Sequence, residues 1–120
     1  MFPPPKRWAA KYRCALRGVG VAVRGEDSFW AHIPAMLAVI AFGAWLRVSV
    51  AEWLLLALCV GVVLTAELFN TALEHLARAV TTEHDENVRN ALDVSAAAVL
   101  AASVMAKVVG TVIFATRLFG

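Results

Sequence analysis

A chain of 120 residues holds one domain at most; here 61% of the residues are hydrophobic, 17% are charged and the net charge is only +2. Soluble globular domains run at roughly 45–50% apolar and about 25% charged residues. The composition, with a mean hydropathy of +0.72, therefore excludes an ordinary water-soluble domain and makes a bilayer the expected environment.

The stretch from Met1 to Arg24 is basic but has no apolar run of secretory-signal length and no small-residue cleavage site, so no cleaved signal peptide is expected. On a helical wheel of about 100° per residue, Trp8, Tyr12, Ala15, Leu16, Val19 and Val23 fall on one side, and Lys6, Arg13, Arg17 and Arg24 on the other. Residues 6–25 thus read as an amphipathic helix in the membrane surface. It serves either as a plain anchor or as a roof over a site at the interface.

Three apolar stretches follow, at 29–47, 52–77 and 92–117, each long enough for the ~20 residues that cross a bilayer. The first has His32 and Pro34 near its start, the second holds Glu67 and Asn70, and the third holds Lys107. A soluble bundle needs a polar face on every helix, and from Trp53 to Ala66 the only hydroxyl is Thr65. The short link from Arg47 to Glu52 makes the first two spans an antiparallel hairpin. A polar segment from Arg78 to Asn90, containing Glu83, His84, Asp85 and Glu86, joins the second to the third. Six of the eleven basic residues precede the first span, so the positive-inside rule puts the N-terminus and the Arg78–Asn90 segment in the cytoplasm. Cys14 and Cys59 sit in unrelated contexts and read as small apolar filler, without a disulfide.

Glu67 is the informative residue, because a carboxylate within a span costs a few kcal/mol and marks a site by default. Asn70 and Glu74 follow at i+3 and i+7, which stacks all three on one helix face. Carboxylates two turns apart can divide labour: the deeper accepts a proton from a substrate hydroxyl, the outer holds a divalent cation. Interhelical hydrogen bonding is the structural alternative. Asp93 at the start of the third span reads either as a helix-terminal charge or, with Glu26 and Glu74, as part of an acidic cluster suited to magnesium. Lys107 is expected to snorkel or face another helix. His32, His75 and His84 show no metal-ligand spacing, and no phosphate-binding glycine–lysine loop is present.

The run Glu67-Leu-Phe-Asn-Thr-Ala-Leu-Glu74 resembles the signature of the small prokaryotic diacylglycerol kinase and undecaprenol kinase family. The runs from Ala91 to Leu100, from Glu26 to His32 and from Glu52 to Leu56 look like its other blocks, so the likeness covers nearly the whole chain. It implies an all-α integral membrane protein, with a surface helix and three transmembrane helices per chain, assembled as a homotrimer in the inner membrane. The implied activity is transfer of the ATP γ-phosphate to a lipid hydroxyl, with magnesium; no nucleic-acid partner is expected. By the same resemblance Glu67 is the general base, Glu26 and Glu74 are the metal carboxylates, and Asn70 supports them. Arg7, Glu83, His84, Asp85 and Asp93, with Glu26 and Glu74, are the implied nucleotide contacts. The Phe29…His32 spacing and the Glu52-Trp53 entrance look more like the undecaprenol-type members.

This chain also departs from the family pattern. Leu92 stands where a lysine is usual before Asp93, Arg78 where an aspartate is usual, and Cys14 where an aromatic is usual. Leucine cannot offset phosphate charge, so a catalytically impaired, lipid-binding member is the alternative reading. Arg78 and Arg89 are the two residues that could restore the cation. A small proton-coupled exporter is a weaker rival, since such proteins usually have four spans and need no second carboxylate.

Overall fold

The computed structural model describes residues 8–25 and 27–120, with side chains for all of these except 27–29. Four helices follow in order: α1 (Trp8–Gly25), α2 (Asp27–Trp45), α3 (Val50–Val80) and α4 (Glu86–Phe119). Arg7 and Glu26, both expected in the site, lie outside the described residues.

α3 and α4 form a long antiparallel hairpin. At 1.5 Å per residue, their 31 and 34 residues reach about 46 and 51 Å, well beyond a hydrocarbon layer of about 30 Å. Both are long and apolar enough to cross a bilayer, and α1 with α2 meets that standard as a bent pair, giving up to three crossings. The polar residues from Glu86 to Asn90, expected in a loop, are already helical. A helix that outruns the membrane can carry polar turns in water, and Asp85 starts this one by accepting the Val88 N–H at 3.0 Å.

The opposite end of the hairpin is built by local signals. Ser49 caps α3: its Oγ accepts the Glu52 N–H at 3.2 Å, and Glu52 Oε1 accepts the Ser49 N–H at 2.8 Å. Glu52 Oε1 also accepts from Arg117 Nε at 2.8 Å, tying the start of α3 to the end of α4. α2 ends in a reversal in which the Arg47 N–H reaches the Ala44 carbonyl and the Val48 N–H reaches that of Gly43, at 3.3 and 3.2 Å. Arg47 takes φ 53° to do so. A left-handed L-residue costs roughly 1–2 kcal/mol, part of which glycine returns through its looser unfolded state. Arg47→Gly is therefore expected to stabilise the protein by about 0.5–1 kcal/mol, read as a higher unfolding temperature in detergent.

The turn buries Val48 against Leu56 and Ile113, with Val39, Leu46, Trp53, Val109 and Phe114 packed around them. Trp53 lies so close to α2 that a Cβ built on Gly43 would overlap its ring. Gly43→Ala should cost about 1–3 kcal/mol by overpacking; an unchanged unfolding temperature would show that the indole moves aside freely. Away from this cluster, Leu54, Leu58, Phe69, Val94, Leu100 and Met105 stand more than half exposed. Water does not tolerate so continuous an apolar surface, whereas acyl chains or other membrane helices do.

α1 is held to α2 by the Trp30 indole, which donates to the Val23 carbonyl at 2.9 Å. Its apolar residues Trp8, Tyr12 and Leu16 are exposed, and Lys11 Nζ sits 4.7 Å from the centre of the Trp8 ring.

Candidate active site

Glu67 is 4% exposed, and its Oε1 lies 2.9 Å from His32 Nε2. Glu67 lies about 22 Å along α3 from Glu52, so placing the Glu52–Arg117 pair at one boundary of a hydrocarbon layer of about 30 Å would put Glu67 inside the layer. A carboxylate at that depth needs a partner, and α2 supplies one from a residue 35 positions away. Carboxylate oxygens only accept, so an ionised Glu67 requires a proton on His32 Nε2. Thr71, one turn on, is equally buried at 4% exposure, and its hydroxyl has no hydrogen-bond partner among the described residues.

On the same face of α3, Asn70 Nδ2 donates to Glu74 Oε1 at 2.6 Å, and Asn70 Oδ1 accepts from Ser95 Oγ on α4 at 2.8 Å. The serine fixes which way the amide points, and the amide fixes the carboxylate. The expected face thus forms an ordered chain, Ser95–Asn70–Glu74, one turn from the His32–Glu67 pair. Glu74 is about 33 Å from Glu52 along the helix, at the far boundary of the layer. There it lines a cavity of about 380 Å³ between the C-terminal end of α3 and the N-terminal end of α4, with Asn70, Arg78, Glu83, Leu92 and others.

The donor chemistry fits magnesium in its usual protein setting, one or two carboxylates with the remaining oxygens from phosphates and water. Glu74 supplies a hard oxygen ligand held in place by Asn70. Among the described residues no group of three or more His, Cys, Asp and Glu side chains could hold a metal by itself.

The other expected residues are dispersed. Glu83 lines the cavity, and its N–H donates to Thr81 Oγ1 at 3.0 Å. Asp85 is engaged as the α4 cap, and His84 is exposed. Asp93 does not start its helix; it lies two turns inside α4, 72% exposed, with Arg89 Nε 3.9 Å away. Lys107 is exposed about 15 Å along α4 from Arg117. It lines an apolar cavity of about 530 Å³ that runs from His32 toward Phe114 past Met36, Leu56 and Val63. Cys14 and Cys59 are free thiols.

Two residues of the site escaped the sequence reading. His32 reads from sequence as a span-entrance histidine, and Ser95 carries no role of its own there. The signals were that each is polar in an apolar context and that each lies in a run resembling a block of the family.

Comparisons with known proteins identify the family. A family model described as prokaryotic diacylglycerol kinase matches residues 13–114. Undecaprenol kinase of Bacillus subtilis (strain 168) is 33% identical over 102 residues, which cover 85% of this chain and 83% of that protein. With the matched segment running from α1 to the last turns of α4, the chain belongs to the prokaryotic diacylglycerol kinase family.

Proposed function

We propose that the protein is an inner-membrane lipid kinase that transfers the γ-phosphate of ATP to a lipid hydroxyl, with Glu67 as general base. The observation that carries this reading is the buried Glu67 carboxylate, hydrogen-bonded to His32, whose ring lines an apolar cavity. A hydrocarbon chain lies in that cavity and brings its terminal hydroxyl to Glu67. The carboxylate takes the hydroxyl proton as the oxygen forms its bond to the γ-phosphorus, and ADP leaves.

Asn70, oriented by Ser95, holds Glu74 toward the polar cavity at the cytoplasmic boundary, where nucleotide is available. Glu74 and Glu26 are the proposed magnesium ligands; when bound, the ion offsets charge on the β- and γ-phosphates. Arg7, Glu83, His84, Asp85 and Asp93 are the further proposed nucleotide contacts. α1 lies in the membrane surface beside the site, and the exposed apolar faces of α3 and α4 meet other copies in a homotrimer.

The likeness to an undecaprenol kinase makes a long polyprenol the first acceptor to try, ahead of diacylglycerol. Purified protein, radiolabelled ATP, magnesium and both lipids form the test, with a labelled lipid phosphate as the expected product. Leu92 in the wall of the polar cavity favours one other reading, a member that binds lipid without phosphorylating it. Absence of transfer to every lipid, with lipid still bound, would favour that alternative.

A further inference from the structure

Among the described residues, the polar cavity has two acidic side chains in its wall, Glu74 and Glu83, and a single cation, Arg78. A nucleotide triphosphate brings several negative charges to this place, and transfer spreads more charge over the γ-phosphoryl oxygens. Magnesium on Glu74 would offset part of that charge, and, since Glu83 adds a further negative charge, a side-chain cation is needed for the rest. Leu92, on the opposite wall from Arg78, offers none.

Arg78 is also uncommitted. Among the described residues the ion pairs are His32–Glu67, Arg89–Asp93 and Arg117–Glu52, and Arg78 is in none of them. Its position four residues after Glu74 would suit a pair on the helix surface, but Asn70 already holds Glu74 Oε1. Arg89, the other basic residue nearby, lies beside Asp93 and does not line the cavity. We propose that Arg78 is the phosphate-binding cation of this site, clamping the nucleotide from α3 where the α4 wall carries Val88, Leu92 and Ala96 and no charge. A guanidinium is suited to this, because its planar fork meets phosphate oxygens in pairs.

The inference rests on the kinase reading for the identity of the ligand. Its rival is structural: Arg78 occupies the last turn of α3, where any cation is favoured by the helix dipole. Full-length protein in lipid nanodiscs separates the two. Fluorescent ATP-analogue binding with magnesium and steady-state transfer kinetics are measured for wild type, Arg78→Ala, Arg78→Lys, Arg89→Ala and Arg78→Ala/Leu92→Lys. Arg78→Ala should weaken nucleotide binding and raise KM for ATP by about tenfold or more, with KM for lipid unchanged. Arg78→Lys should recover part of the loss. Leu92→Lys should recover it from the opposite wall, which a helix-dipole role does not allow, and Arg89→Ala should bind as wild type does.

Nucleotide affinity unchanged in Arg78→Ala overturns the proposal even if transfer is robust. Loss in Arg78→Ala without recovery by Leu92→Lys or Arg78→Lys, together with a lowered unfolding temperature, assigns the residue to stability and also overturns it. A wild type that binds nucleotide but transfers nothing removes the kinase reading alone, and Arg78 is then judged by binding. A wild type that binds no nucleotide removes both.

Discussion

Glu67→Gln is expected to lower phosphate transfer by about 10²–10⁴-fold, the usual contribution of a positioned general base, with the fold intact. Glutamine keeps the length of the side chain, and its carbonyl oxygen can still accept a hydrogen bond from His32 Nε2. The amide needs no charge to be buried, so a site 4% exposed should accept it without cost and even gain stability. What is lost is the ability to take the hydroxyl proton. Thin-layer separation of radiolabelled lipid phosphate reads the rate, and helicity by circular dichroism with unfolding in detergent reads the fold. Transfer within a few-fold of wild type would remove Glu67 from the role of base. In the proposed scheme Asn70 and Glu74 serve the nucleotide end of the site, so their variants should act on KM for ATP rather than mimic this pattern.

The second large effect is expected at His32. Removing its ring deprives an ionised carboxylate of a hydrogen bond of the kind that contributes about 1.5–3 kcal/mol. His32→Ala should therefore lower kcat by roughly 10–100-fold. His32 does not accept the substrate proton in this scheme; it positions Glu67. A neutral donor of similar reach, His32→Gln, should then restore a substantial part of the rate, which a role in proton transfer would forbid. The ring also lines the apolar cavity, so truncation will alter KM for the lipid. The separation matters: a change in KM alone, with kcat preserved, would make His32 a wall of the lipid cavity and not the partner that aligns the base.

Together the two variants test a site assembled from separate helices. The His32–Glu67 pair joins α2 to α3, and the Ser95–Asn70–Glu74 chain joins α4 to α3. α3 is thus the spine of the site, and each neighbour adds one polar side chain that orients one of its carboxylates. In a low-dielectric layer such bonds are held firmly, because the alternative is a buried polar group with no partner.

Much of this was legible in one dimension. Composition alone set the environment, since no fold of a soluble domain leaves so much apolar surface to cover. Helical periodicity alone put Glu67, Asn70 and Glu74 on one face, because the i, i+3, i+7 relation is internal to a single helix. The boundaries were less legible. Glu86 to Asn90 is polar enough to read as a loop, yet it is helix, because an N-cap at Asp85 and room beyond the bilayer allow α4 to start early.

What the sequence could not decide is how the helices are turned against one another. Membrane helices that are apolar on nearly every side carry no amphipathic stripe to specify rotation or stagger. Packing sets both: the Gly43–Trp53 contact, the Val48–Leu56–Ile113 cluster and the Glu52–Arg117 pair at one end. Only with that stagger do His32 and Ser95 reach their partners, and only then do Arg78 and Leu92 face the same cavity. The carboxylates of the site are therefore a property of the chain's local periodicity. Their partners, and the cation proposed for the nucleotide, are a property of the tertiary structure, because contacts between helices depend on rotations that no single helix encodes.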